Sequence, residues 1–252
     1  MAVDSAGAWE QLRDLPASPR VERLHARFLK RYRELGRGVE VEEADVRARN
    51  EALLRAYRET QEERPITRRA RALAEFASTM PIRVDPDDLL TGHQTFNGPV
   101  PQEVRDAGYA STTGHIVHDY DTLLSQGVGR LRGRTSEARV ATPEQAANLA
   151  AFAAAMDAFA CFTARHARAA AALAETLIGE AAAEWRQRAE DLDHVCGAPP
   201  ETFAQAAQLL WLAHLFLHAE NPSVAISFGR IDQYLWPFLR RDLDAGRATL
   251  AD

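Results

Sequence analysis

Two histidines and two carboxylates crowd one short stretch of this chain. His115 and His118 sit in "GHIVHDYD", with Asp119 and Asp121 immediately after them. An imidazole can donate or accept a proton near neutral pH, and a neighbouring carboxylate can orient it. Glycine before the first histidine and the polar run after it place the group on a turn that enters a helix near Asp119. The stretch therefore suits general acid–base work or hydrogen bonding to a polar substrate. A helix-capping or core-satisfying role is the competing reading of the same residues.

A second cluster lies in "SFGRIDQYLWP". Ser227, Arg230 and Asp232 flank Gly229 where a short β-branched run gives way to an aromatic-rich helix. Arg230 and Asp232 are spaced to form a buried, charge-assisted pair that fixes the corner. That leaves the Ser227 hydroxyl to face a cavity. His214 and His218, at i and i+4 with Glu220 close by, have the spacing of helical metal ligands. The intervening glutamate of zinc hydrolase helices and an obvious third ligand are absent, so packing histidines are the better reading and no metal is expected. Cys161, between Phe159 and Phe162, and Cys196, before Gly-Ala-Pro-Pro, have no nucleophile or metal pattern around them and read as structural. No P-loop, G-x-S-x-G elbow or strand-preceded G-x-G-x-x-G occurs.

The elements that must position these groups are mostly helical. Ser18-Pro19 opens a helix whose apolar positions include Val21, Leu24 and Phe28 and which stops at Gly36. Two more helices follow within residues 41–63 and 65–80. The Pro-, Gly- and Asp-rich stretch 81–101 then carries short runs at 82–84 and 89–96 that read as strands or extended segments. A helix from about Asp119 should end near Gly127. Thr142-Pro143 caps a very long alanine-rich helix through roughly Ile178, and a shorter one spans 180–196. The next opens with Pro and a first-turn Glu201. With no repeat or low-complexity linker, residues 1–252 read as one domain, mainly α with a few short β-strands.

Composition narrows the class. The chain has 252 residues, a formal net charge of −6, 46% hydrophobic residues and two cysteines. The negative charge argues against a general nucleic-acid partner, and the arginine-rich first third, with interleaved Glu and Asp, reads as salt-bridged helix faces. No apolar run is both uninterrupted and long enough for a membrane span, because Asp157, Arg165, His166 and Arg168 break the alanine-rich one. The first residues lack the pattern of a secretory signal. A cytoplasmic location is the expectation.

Four blocks in order resemble the N-terminal part of the glycyl radical enzymes, the pyruvate formate-lyase-like family. They are "DDLLTGHQTFNGPVP", "GHIVHDYDTLLSQGVGRLRGR", "VCGAPPETFAQAAQLLWLAHL" and "SFGRIDQYLWPFLRRDLDAG". The third has Gln205 where the family usually has Glu. The resemblance implies an N-terminal helical shell and the first strands of an α/β barrel. It also implies a lyase or dehydratase for a small polyol- or amine-type substrate, in which His115 and Ser227 meet substrate. The residues themselves add His118 and Asp119 as substrate-binding candidates beside them and read Arg230 and Asp232 as structural.

The family's Cys-x-Glu thiyl motif and Arg-Val-Ser/Ala-Gly-Tyr radical loop are absent from these residues. "RDAGY", Arg105 to Tyr109, is a one-mismatch lookalike in the wrong place. No cofactor is thus expected in this chain. A glycyl radical would come from a partner activated by a radical-SAM enzyme, and the expected partner is a second chain completing the barrel, or a further copy of this one. The alternatives are a free-standing derivative with non-radical chemistry or ligand binding, and a non-catalytic interaction module.

Overall fold

Hydroxyl and proline caps set most helix starts. In the computed structural model, which describes residues 18–36, 41–110, 114–221 and 225–249, the Ser18 hydroxyl accepts from Val21 N at 3.3 Å and Pro19 begins helix α1 (Pro19–Leu35). Gly36, at φ 65°, closes it in the left-handed conformation that favours glycine. Helices α2 (Glu43–Glu59), α3 (Pro65–Thr79) and the short α4 (Gln102–Asp106) follow. Thr142 caps the long α6 (Pro143–Ala174) by accepting from Gln145 N. That helix stops short of Ile178, and α7 (Gly179–Val195) begins after a brief turn. Thr202, not a first-turn Glu201, opens α8 (Phe203–Glu220): its hydroxyl accepts from Gln205 N at 3.2 Å while the Gln205 amide oxygen accepts from Glu201 N at 2.8 Å. This is a reciprocal cap, so the expected acidic first turn is replaced by a side-chain one.

The helix between α4 and α6 is α5 (Tyr120–Glu137), and it corrects the reading of Gly127 as a terminus. At Gly127 the backbone turns non-helical (φ 71°, ψ 164°) and the helix then resumes. A side chain there would meet Pro199 N at 2.5 Å, so the kink and the glycine both serve the close approach of the chain after α7.

The core lies where α3, α5, α6, α7 and α8 meet. Alanines on α6 let its neighbours approach closely, and phenylalanines fill the space between them. Phe76 of α3 stands 5.2 Å from Phe96 and 5.6 Å from Phe162, centroid to centroid, and Phe216 of α8 lies 5.5 Å from Phe162. Helix α6 is long and apolar enough, by length and composition, to cross a membrane. In this fold it packs between α3 and α7, and Arg165 on it donates to the carbonyls of Ala77 and Met80.

Charge holds the first third together, as its composition indicates. Arg23 pairs with Asp87, Arg27 with Asp85 and Arg55 with Glu75. Deeper, the fully buried Asp45 accepts two bonds from Arg83, at 2.8 and 2.9 Å, and one from the Thr95 hydroxyl. Burial alone would raise this carboxyl, but the bonds from Arg83 and Thr95 outweigh it and hold it below the usual range.

One sheet is present among the described residues, a parallel pair of β1 (His115–Val117) and β2 (Ala225–Ser227). The segments at 82–84 and 89–96 are irregular, not hydrogen-bonded strands. Side chains of α8 satisfy part of their backbone instead. Gln208 accepts from Thr91 N at 2.7 Å and donates to Thr91 O at 3.0 Å, and Trp211 donates to Gly92 O at 2.9 Å. Helix α9 (Ile231–Asp244) follows β2 and packs on α8, where buried Asp242 accepts from Phe203 N at 2.7 Å and pairs with Arg247.

Candidate functional site

Parallel pairing brings the two sequence clusters together. His115 lies opposite Ala225, Ile116 opposite Ile226 and Val117 opposite Ser227. Side chains alternate along a strand, and register partners in a parallel pair share a face. His115, Val117, Ala225 and Ser227 therefore occupy one face, with His115 and Ser227 diagonal to each other, about 8 Å apart by strand spacing and rise. Both are exposed. The Thr-Thr pair before Gly114 in the first cluster lies outside the described residues.

The corner after Ser227 is built by glycine. The Ser227 hydroxyl accepts from Gly229 N at 3.1 Å, folding the backbone back over the strand end. Gly229 has φ 67°, and a Cβ there would stand 2.7 Å from Val117 Cγ1 and 3.0 Å from Tyr234 Oη. The tightness of this turn fixes where Ser227 ends up relative to β1.

Arg230 and Asp232 form the anticipated pair, with contacts of 2.9 and 2.7 Å, but not the buried clasp. Their side chains are 64% and 63% exposed. The turn points both outward at the start of α9, so water screens the pair. Asp119 is a cap: its carboxylate accepts from Thr122 N at 3.0 Å, and that bond holds it below the usual carboxylate range.

His118 parts company with His115. One alternation beyond Val117, it turns to the helix side, where burial lowers its pKa and its Nε2 is buried with no hydrogen-bond partner among the described residues. There it joins His214 and His218, whose rings lie 4.7 Å apart. His214 stacks on Phe228 at 4.1 Å, and its Nδ1 lies 3.3 Å from the Tyr120 hydroxyl. Burial first, then the neighbouring His218 and His118, push His214 down to about 4. Sequence spacing had shown two of these three histidines; the third arrives only because β1 lies against α8. Even so, no group of His, Cys, Asp or Glu side chains among the described residues is arranged to hold a metal ion. The Glu220 side chain lies outside those residues. The cluster backs the strand pair with neutral aromatic rings.

The remaining candidates fall elsewhere. "RDAGY" ends α4 in a turn: Gly108 has φ 102° and packs beneath Arg68, and Tyr109 meets Tyr57 edge-on at 5.7 Å. That is a structural turn filled by a guanidinium, a poor setting for a radical glycine. Cys161 and Cys196 sit on α6 and at the end of α7. An open cleft of about 470 Å³ lined by Arg27, Phe28, Asp88, His93 and Trp211 lies under α1 and does not include His115 or Ser227. The face that bears those two is open. It presents a hydroxyl and an imidazole, both able to donate and accept hydrogen bonds, beside the exposed apolar Val117.

A parallel strand pair backed by a helical shell, with the strand-to-helix corner set by a left-handed glycine, defines the class. The model of the pyruvate formate lyase-like family matches residues 100–252, and the chain belongs to that family. The isethionate sulfite-lyase of Desulfovibrio desulfuricans is 29% identical over 213 residues, covering 69% of this chain and 26% of its own. Among solved structures, that of a Roseburia inulinivorans protein described for 1,2-propanediol dehydration superposes with a TM-score of 0.75 at 19% identity. It covers 94% of this chain and 38% of the other. A glycyl radical enzyme from Archaeoglobus fulgidus gives 0.69 at 23% identity, covering 91% and 38%. At these identities the superpositions establish the fold. This chain spans about a quarter of the curated relative's length and just over a third of the solved ones.

Proposed function

We propose that these residues form the substrate-facing N-terminal portion of a glycyl-radical-type lyase or dehydratase for a small polar substrate of the polyol or amine class. The observation that carries the reading is the β1–β2 register, which sets His115 and Ser227 on one open face. In this reading the His115 imidazole and Ser227 hydroxyl hold substrate hydroxyl or amine groups by hydrogen bonds. Asp119 starts the helix behind them, and His118 packs the rear of the strand pair without touching substrate.

The reacting thiol and the radical glycine come from polypeptide outside these residues, which completes the barrel and is activated by a radical-SAM enzyme. Neither cysteine of this chain lies on the His115–Ser227 face, and Gly108 is held in a packed turn. The names of the relatives, a sulfite-lyase and a protein described for propanediol dehydration, support a carbon–heteroatom lyase.

Anaerobic activation assays on the purified chain, with 1,2-propanediol, glycerol and choline as probes, test this. The reading expects no turnover and no glycyl radical signal in electron paramagnetic resonance from the chain by itself. Turnover by it would replace the reading with a free-standing enzyme of different chemistry.

A further inference from the structure

Cys161 and Cys196 are 35 positions apart and are the only two cysteines in the chain, yet the packing of α7 on α6 brings them side by side. The Cys196 thiol donates to the carbonyl of Ala160 at 3.0 Å. That carbonyl and the Cys161 Cα belong to the same peptide unit, which places the Cys196 sulfur within about 6 Å of the Cys161 Cα. Bridged cysteines have Cα atoms about 4.4–6.8 Å apart, so closing the bridge requires the turn that carries Cys196 to move toward Cys161. The turn can supply this movement: Cys196 is the C-cap just past α7, with its N–H on Leu192 O, and exposed Gly197 follows. Neither thiol serves the His115–Ser227 face.

We propose that Cys161 and Cys196 form an oxidisable dithiol that closes to an intrachain disulfide in the presence of a peroxide. Cys161 is exposed and takes the oxidant first, whereas Cys196 is half-buried. The Cys161 thiolate attacks one peroxide oxygen, the O–O bond breaks, and with one proton the products are a sulfenic acid and water. The Cys196 sulfur then attacks the sulfenic sulfur; the S–S bond forms, the S–O bond breaks, and a second water leaves with the thiol proton. In total two thiols and one hydrogen peroxide become one disulfide and two waters. Burial, then Asp193 and the Cys161 thiol itself, raise the Cys196 pKa, so the second step quickens with rising pH. The product ties the end of α7 to the middle of α6.

The test is hydrogen peroxide added to the native chain at dilute concentration, followed by thiol titration and peptide mass spectrometry. The expected result is loss of both thiols and one joined peptide, lighter than its two parts by about 2 Da, with the chain still monomeric on a non-reducing gel. Closure should be at least about tenfold faster in the folded chain than in the urea-unfolded one, because the fold holds the thiols together. Cys196→Ser should leave Cys161 as a sulfenic or sulfinic acid at an unchanged unfolding midpoint. Over-oxidised Cys161 beside an intact Cys196 thiol in the wild-type chain, an intermolecular dimer, or equal closure rates folded and unfolded would each overturn the proposal.

Discussion

Gln205 donates its amide N–H to Asp191 at 2.9 Å while its amide oxygen caps Glu201 N. Both ends of one amide are used, one joining α8 to α7 and the other closing the start of α8. A carboxylate at this position could serve only the cap. Gln205→Glu therefore sets two carboxylates against each other and is expected to lower stability by about 1–3 kcal/mol at neutral pH. Urea unfolding at pH 7 measures this. An unchanged midpoint would mean that the Asp191 contact contributes nothing.

Gly229 and Gly36 share a left-handed backbone, at φ 67° and 65°, but not a neighbourhood. Nothing stands within 4 Å of a Cβ at Gly36, whereas one at Gly229 strikes Val117 across the strand pair. Gly36→Ala should lose only the backbone preference, about 1 kcal/mol. Gly229→Ala should lose more, and should speed hydrogen exchange in β1 and β2. Equal destabilisation by the two, with no change in exchange at β1, would contradict the proposed tight corner.

Acid should weaken the fold through its neutral buried histidines. His166 and His214 are both held to about 4, chiefly by burial, against an ordinary 6.5. In the unfolded chain they bind protons below about pH 6.5, while in the folded chain they do not until about pH 4. The unfolded state thus binds more protons in that window, so stability is retained above pH 6.5 and falls as the pH drops toward 4. Each site loses on the order of 3 kcal/mol at most. Urea midpoints measured from pH 7.5 to 5 should fall steadily below 6.5. A flat profile would show that these rings are not kept neutral.

The Arg230–Asp232 pair is exposed at both ends, so Asp232→Asn should leave the unfolding midpoint unchanged within error, even at low salt. A clear loss of stability would restore the buried clasp that the sequence suggested.

Local chemistry written in a few adjacent residues was legible from the sequence, and chemistry assembled by packing was not. Ser18, Thr142, Asp119 and Pro143 mark helix starts because a cap needs only its own next turn. The β-branched run before the Ser-Phe-Gly-Arg corner marked β2, but residues 115–117 read as a turn and form strand β1 instead, because their pairing depends on β2, more than a hundred residues away. The segment 89–96 looked like a strand because it is apolar and extended, but whether an extended chain pairs depends on a neighbour. Here that neighbour is Gln208, whose amide substitutes for a strand. Period-2 alternation could have separated His118 from His115, though only once β1 was known to include Val117. The meeting of Cys161 with Cys196, and of His118 with His214, required the helix packing itself.

The central claim is that His115 and Ser227 share a substrate-facing surface, and NMR titration of the labelled chain with 1,2-propanediol tests it most directly. The account predicts saturable shifts centred on residues 115–117 and 225–229, lost together in His115→Ala and in Ser227→Ala while the rest of the spectrum is unchanged. Shifts centred elsewhere, or undiminished in both variants, would contradict it.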